Sequence, residues 1–333
     1  MRGENNRVTF VMPAYNAADY IGEAIDSLIA QSVAEWKLIV VNDGSTDTTP
    51  AIARHYSDND DRISVIDSLN PSGCVYQPRK KGILAADTEW VSPLDADDAI
   101  EPTYLERLLE VRDRFQADIV YPTMWRMDSR NPHIITPKEP SLLNTAFAGM
   151  DAVKFTLDGW RINCNGGVIR KSVYEEAFEK FDSSLTYRYS DELLTRQIIS
   201  LAPCIAFSDA KYFYRLNDNS ITQKKSIKNF EILKNHKALI SFTEELYGKE
   251  SEEYLLAQRQ NFHGIFDQLR LMNKYRLKGE EKKSVLSMME ENRSLTDFQL
   301  LEGRVSPRYA LLLKMGLFPA SLGLKLYDIL KRV

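Results

Sequence analysis

The 333-residue sequence predicts an α/β fold, a doubly wound and mostly parallel sheet followed by a helical C-terminal appendage. Three observations carry this reading. Short β-rich runs alternate with helix-period segments from Val8 to Tyr121, the order that builds βαβ units. Several of those runs are apolar throughout, as strands covered on both faces are. Beyond Lys224 the strand pattern gives way to apolar residues at helical spacing.

The predicted strands are Val8–Met12, Lys37–Asn42, Ile63–Asp67, Trp90–Pro93 and Ile119–Tyr121. Between the first two, Asp19–Gln31 sets Tyr20, Ala24, Ile25 and Leu28 on one helical face. Thr48–Tyr56 is a second helix, with Thr46 or Asp47 as its cap. Thr103–Phe115 is another, its stripe formed by Leu105, Leu108, Leu109 and Phe115. From Met124 to Gly159 the pattern weakens around Pro132, Pro137 and Pro140, which predicts an exposed excursion. Helices over Lys171–Lys180 and Ser190–Leu201, with strands at Cys204–Phe207 and Tyr212–Arg215, complete the first domain. In the appendage Leu255, Phe262 and Leu269 recur every seven residues, as do Ile265 and Met272, which marks the buried stripe of a packed helix.

With 44% hydrophobic and 27% charged residues the chain has a globular composition, and its length suits two domains. A net charge of −4 offers no basic field for nucleic acid, which is excluded as a partner. The charge is uneven: Lys224–Val333 carries 20 basic and 14 acidic residues, leaving the acidic surplus to the first 223. Cys74, Cys164 and Cys204 form no CxxC pair, and the polar Met1–Arg7 leaves no room for a signal segment. No apolar stretch reaches about 18 residues, so a cytoplasmic protein without a spanning helix is expected. G-x-G-x-x-G after the first strand, a P-loop, GxSxG and HExxH are all absent, and His55, His133, His236 and His263 are scattered.

Ligands of doubly wound sheets bind beyond the carboxyl ends of the strands, so chemistry is sought there. The first strand runs into Pro13-Ala14-Tyr15-Asn16, where Tyr15 either stacks on a nucleobase or packs. The second ends in Asn42-Asp43-Gly44-Ser45-Thr46-Asp47, a turn whose carboxylates face the ligand side. The fourth ends in Leu94-Asp95-Ala96-Asp97-Asp98. Three carboxylates in four residues repel one another unless a cation sits among them, and oxygen-only ligands suit Mg²⁺ or Mn²⁺ bridging a diphosphate. Farther on, Asp158–Gly167 combines Trp160 and Asn165 with glycines, either as a sugar subsite for an acceptor or as a structural turn.

Taken in order, VTFVMPAYN (Val8–Asn16), LIVVNDGSTD (Leu38–Asp47) and LDADD (Leu94–Asp98) resemble the family 2 glycosyltransferases of GT-A fold. The resemblance covers roughly the first 120 residues and implies transfer of a sugar from a nucleotide diphosphate, with inversion, to an acceptor hydroxyl. By the same resemblance Pro13, Tyr15 and Asp43 hold the nucleobase, Arg79 lies near the ribose and diphosphate, Asp95 meets the ribose, and Ala14, Asn16 and Ala96 are counted with them as donor-binding. Asp97 is implied as the direct ligand of Mn²⁺ or Mg²⁺, with Asp95 beside it and Asp98 in support. Where family members usually read ARNxG this chain has Pro78-Arg79-Lys80-Lys81-Gly82. The catalytic base is implied at Asp191, with Glu192 as the alternate, although Ser190 stands where a Glu is usual; a capped acidic helix start accounts for the same residues. Tyr214–Thr222 resembles a late motif over the donor phosphates, with Arg215 within it and Asn217 where some members have a histidine.

These implications assign residues 1–223 to a catalytic GT-A domain, with a donor half to about 122 and an acceptor half from 123, and residues 224–333 to a helical region. The expected partners are a nucleotide-sugar donor, most readily a UDP-sugar, and a glycan or lipid-linked glycan acceptor. From Arg304 onward six basic residues accompany one acidic residue, which suits an anionic membrane surface at the inner face, packing against the catalytic domain, or a second copy of the chain. The competing reading is a catalytically silent GT-A domain that binds carbohydrate or acts as a scaffold.

Overall fold

The structure, a computed structural model, describes residues 8–127, 134–136, 142–157, 166–181, 187–215 and 225–317. Two compact units are distinguished, one formed by Met1–Thr186 with Ser190–Ser220 and the other by Tyr187–Tyr189 with Ile221–Val333.

The first unit begins with β1 (Val8–Ala14), α1 (Ile21–Ile29), β2 (Trp36–Asn42), α2 (Thr49–Asn59), β3 (Ile63–Asp67), α3 (Tyr76–Ala85) and β4 (Trp90–Pro93). It continues through β5 (Ala99–Ile100), α4 (Tyr104–Phe115), β6 (Ile119–Met127), β7 (Ile134–Thr136) and β8 (Ala146–Phe147). Then come α5 (Gly149–Ala152), α6 (Lys154–Leu157), β9 (Val168–Arg170), α7 (Lys171–Lys180), α8 (Ser190–Leu201) and β10 (Ile205–Arg215). The sheet order is β3-β2-β1-β4-β9-β6-β10-β5, with β7 added beside β6 and β8 beside β10. Its long ladders, β1 with β2 and β4, β2 with β3, and β6 with β10, are parallel. Short antiparallel ladders join β9 to β4 and β6, and β5 to β10, so the doubly wound, mostly parallel sheet is as expected.

The core lies where the apolar strands predicted it, with Phe10, Met12, Leu38 and Val40 packed on Ile21, Ala24, Ile25 and Leu28 of α1. Several features differ from the sequence expectation, among them the strands expected at Cys204–Phe207 and Tyr212–Arg215, which are one strand, β10, with a register shift between Phe207 and Lys211. Helix α3 went unpredicted because Pro78 interrupts its pattern, yet Pro78 lies in the first turn, where a missing N–H costs no helical bond. Of the expected excursion, residues 124–127 continue β6, residues 134–136 form β7, and residues 142–157 are packed on the sheet: β8 pairs with β10, and Phe147 meets Phe155 and Phe207 at centroid distances of 5.3 and 6.1 Å. Ala152, Val153 and Leu157 are buried there, so the segment that follows the prolines is anchored, while Pro132, Pro137 and Pro140 themselves lie outside the described residues.

The second unit contains a 3-10 turn at Ile227–Glu231, α9 (Ile232–Tyr247), α10 (Glu252–Tyr275), α11 (Gly279–Ser294) and α12 (Pro307–Lys314). The Ser251 hydroxyl accepts from the Tyr254 N–H at 3.1 Å and caps α10, whose predicted stripe Phe262, Ile265, Leu269 and Met272 enters the core with Val285 and Met289. A buried amide network also fixes the packing: Asn292 donates to Asn261 Oδ1 and to the Leu233 carbonyl, both at 2.8 Å, and Asn261 donates to the Asn292 carbonyl at 2.9 Å. Buried amides with partners of this kind tolerate few alternative registers, because any slip leaves them unpaired. No helix among the described residues is long and apolar enough to cross a membrane.

Candidate active site

In strand order, β1 leads outward to β2 and β3, and β4 returns on its other side. Between the carboxyl ends of β1 and β4 the winding reverses, which opens the crevice where doubly wound sheets take their ligands. The segment after β1 and the acidic turn after β4 both flank this crevice.

The β1 end is laced to the β2 end. Asn16 takes φ 49°, a left-handed conformation that asparagine tolerates. Its N–H donates to Ser45 Oγ at 3.0 Å and its side-chain carbonyl accepts from the Thr46 N–H at 2.8 Å. Ala14 is buried and its carbonyl takes the Asp43 N–H at 2.8 Å, while Tyr15 beside Pro13 is 41% exposed. Asp47, one of the two residues expected to cap α2, lies one residue before the cap position that Thr48 takes, and accepts from the Thr49 N–H at 2.9 Å and from the Ala18 N–H at 3.2 Å. Burial raises its pKa, but the Thr49 and Ala18 hydrogen bonds outweigh that and hold it below the usual carboxylate range. Asp43 is buried, and its carboxylate accepts from the Ser72 hydroxyl at 2.7 Å and the Ser72 N–H at 3.0 Å. In this state, then, the group implied to read a nucleobase N–H serves the 68–75 loop.

Helix α3 brings in the third component. A Cβ on Gly82 would lie 2.4 Å from Val11 Cγ1, so glycine lets the helix rest directly on β1. One turn earlier, Arg79 is buried and donates through Nη2 to Asp95 Oδ1 at 2.9 Å. Burial works against its charge, but the Asp95 and Asp191 carboxylates overcome this and hold the guanidinium above its ordinary pKa.

The acidic turn is fastened from β10. The Asp98 N–H donates to the Asp95 carbonyl at 3.1 Å, closing the turn. The Asp98 carboxylate accepts from Tyr212 Oη at 2.7 Å and from the Arg215 N–H at 2.8 Å. Burial first, then the charges of Asp95 and Asp97, push the Asp98 pKa well up. Ala96 is buried under the turn. Arg215, implied at the donor phosphates, directs Nε to the Asp97 carbonyl at 2.9 Å and Nη2 to Glu23 at 2.5 Å, and its guanidinium lies 5.2 Å from the Tyr20 ring centroid. It therefore braces the turn from outside. Asp95 and Asp97 remain half-buried, an oxygen-only pair. Among the described residues no group of three or more His, Cys, Asp or Glu is arranged to hold a metal alone. Two carboxylates beside a third under like-charge strain fit a hard cation that completes its shell with water and diphosphate oxygens, and do not fit Zn²⁺.

Asp191 stands half-buried in the first turn of α8. Burial raises its pKa, Arg79 pulls it down and Asp95 pushes it up, with a net shift upward. Arg79 thus lies within electrostatic reach of both Asp95 and Asp191, groups 16 and 112 positions from it in sequence. Glu192 instead reaches Arg196 at 3.6 Å, and the buried Arg196 is held in turn by Thr156. The capped-helix account is not realised at Ser190: α8 starts on Ser190 itself, and its buried hydroxyl has no hydrogen-bond partner among the described residues.

Sequence reasoning passed over Tyr212, which sits in a predicted strand and carries no motif of its own. Its one signal is that Tyr212–Arg215 ends opposite the acidic turn. Trp160, Asn165 and the segment from Leu216 to Thr222 lie outside the described residues. The glycines closing the Asp158–Gly167 segment serve the backbone. Gly166 and Gly167 take φ 69° and 89°, and the Gly167 N–H donates to Tyr104 Oη at 2.6 Å.

The model of glycosyl transferase family 2 matches residues 9–178. Glycosyltransferase EpsJ of Bacillus subtilis, described as uncharacterized, is 28% identical over 244 residues, which span 71% of this chain and 69% of EpsJ. The succinoglycan biosynthesis protein ExoO of Rhizobium meliloti is 30% identical over 228 residues, 65% of this chain and 62% of ExoO. Among solved structures, S. aureus TarS 1–349 in complex with UDP-GlcNAc superposes with a TM-score of 0.73 at 17% identity, over 95% of this chain and 88% of that one, a likeness of fold.

Proposed function

Because the chain belongs to glycosyl transferase family 2 and is a glycosyltransferase, we propose that it moves a sugar, with inversion and with Mn²⁺ or Mg²⁺, from a nucleotide-diphosphate donor to an acceptor hydroxyl. The observation that carries this reading is Arg79, which donates to Asp95 in the acidic turn at 2.9 Å and whose charge also reaches the carboxylate of Asp191. A site for inverting transfer needs a neutralised diphosphate on one face of the anomeric carbon and a proton acceptor on the other.

In this reading Asp97 and Asp95 hold the cation, which supplies charge neutralisation to the departing diphosphate. Arg79 adds a fixed positive charge beside Asp95. Pro13, Ala14, Tyr15 and Asn16 line the nucleobase side, with exposed Tyr15 available for stacking, and Asp43 exchanges Ser72 for a base N–H. Asp191 takes the proton of the acceptor hydroxyl. Residues 1–223 form the catalytic domain, and Trp160 and Asn165 belong to its acceptor half. UDP is the first nucleotide to test, since TarS carries UDP-GlcNAc, and synthesis of a polysaccharide or glycoconjugate accords with the name of ExoO.

Thermal melting with Mn²⁺ and UDP-, GDP-, CMP- or dTDP-sugars tests the reading. One nucleotide class should raise the melting temperature by several degrees at saturation, and only with the cation present. A flat response to all four, with no donor hydrolysis, would leave the silent GT-A reading in its place.

The C-terminal unit supports a second contact, with the anionic inner face of a membrane in the cytoplasm. On α12 and its end Leu311 and Met315 are 60% and 65% exposed, and Arg308 and Lys314 are exposed with them. Apolar side chains edged by cations suit an anionic lipid surface. Full-length protein should float with vesicles containing phosphatidylglycerol, and Leu311→Asp with Met315→Asp should abolish flotation. If the wild type stays at the bottom, the exposed face is left for a second copy of the chain.

A further inference from the structure

Tyr212 is fully buried in β10 and its hydroxyl is used twice. It donates to Asp98 Oδ2 at 2.7 Å and accepts from the Asp95 N–H at 3.2 Å, so a single oxygen spans the two ends of the acidic turn. The ring cannot easily swing away. Its centroid lies 6.4 Å from that of Tyr104, and a Cβ on Gly166 would fall 2.7 Å from Tyr212 Cδ2 and 2.5 Å from Tyr104 Oη. The Tyr104 hydroxyl is in turn fixed by the Gly167 N–H at 2.6 Å. The backbone at Gly166–Gly167 thus backs a tyrosine whose far end sets the turn.

We propose that Tyr212 is a positioning residue, whose hydroxyl holds the Asp95 backbone and the Asp98 carboxylate in the spacing that presents Asp95 and Asp97 to a cation–diphosphate pair. The inference rests on the reading of the acidic turn as that pair's site. Without the hydroxyl the Asp95 N–H loses its acceptor and the buried Asp98 loses a donor. The three carboxylates, already in mutual repulsion, would then spread. Groups that orient metal ligands in this way typically change metal affinity about 10–100-fold when lost.

Calorimetric titration of UDP into the purified full-length chain, with Mn²⁺ and with EDTA, tests this, using wild type, Tyr212→Phe and Tyr104→Phe. Tyr212→Phe should weaken UDP binding in Mn²⁺ by about 10-fold or more and raise the Mn²⁺ concentration needed for half-maximal binding, with the weak binding in EDTA unaltered. Tyr104→Phe removes a buried hydroxyl bonded to Gly167 and not to the turn, keeps the ring that packs against Tyr212, and should keep wild-type Mn²⁺ dependence. A structural effect alone would weaken binding in Mn²⁺ and EDTA together, or would act equally in both variants, and either result overturns the proposal. Loss of cooperative melting in Tyr212→Phe overturns it too, since the hydroxyl would then belong to core stability. Wild-type protein that binds no UDP with Mn²⁺ retires the underlying reading itself, whereas wild-type binding with an unchanged Tyr212→Phe retires only the inference.

Discussion

Asp191→Asn is expected to cut turnover by about 10²–10⁴-fold while leaving Mn²⁺-dependent donor binding near that of the wild type. The substitution keeps the shape of the side chain and removes only its basicity. Two features favour Asp191 over its neighbour for the proton. Asp191 shares the field of Arg79 with Asp95, whereas Glu192 is turned to the buried Arg196 on its own helix. Glu192→Gln should therefore change the rate far less. The pH profile gives an independent readout. A general base works deprotonated, so the rate falls as pH drops through its folded pKa. Burial and the Asp95 charge outweigh Arg79 and raise that pKa above 3.8, so the acid limb of kcat/KM should lie above the ordinary aspartate range. Normal transfer by Asp191→Asn, or a limb at the unperturbed value, would move the proton acceptor elsewhere.

How much of this site the sequence discloses depends on the range over which each interaction acts. The strand ends are local: apolar runs that stop at Asn16, Asp43 and Asp95 are visible in a single pass, and the doubly wound sheet brings those ends together without further information. Helix α3 is equally local, yet Pro78 hid it, because a proline in a first turn looks the same in sequence as a proline in a loop. The relation of Arg79 to Asp191 and of Tyr212 to Asp98 is of another kind. Each depends on tertiary neighbours more than 100 positions apart, and nothing in the periodicity around Tyr212 distinguishes a tyrosine bound to a carboxylate from one that fills the core. Arg215 is of the same long-range kind, since its contacts with Glu23 and the Asp97 carbonyl, 192 and 118 positions away, are not visible in the motif that contains it.

Asp97→Ala should lower transfer by about 10²–10³-fold, the scale of losing a principal electrostatic contact to the departing group, and should abolish the response of the remaining rate to Mn²⁺. The division of labour within the turn explains why this residue matters most. Asp98 is committed to Tyr212 and Arg215, and Asp95 is shared with Arg79, while the Asp97 backbone carbonyl takes the Arg215 Nε, a contact that an alanine retains. The effect on stability should run opposite to the effect on activity. Burial is the first cause of the raised Asp98 pKa and the charges of Asp95 and Asp97 the next, so removing Asp97 relieves part of the cost of folding the turn without a cation. The variant should therefore melt at or slightly above the wild-type temperature in EDTA and gain nothing from Mn²⁺ with UDP, where the wild type gains several degrees. A variant that melts lower than wild type in EDTA would assign Asp97 to the fold, and one that still turns over with Mn²⁺ would take the cation away from it. The crossing of the two melting series is specific to a carboxylate kept for a cation, because a residue retained for packing loses stability whether or not the metal is there.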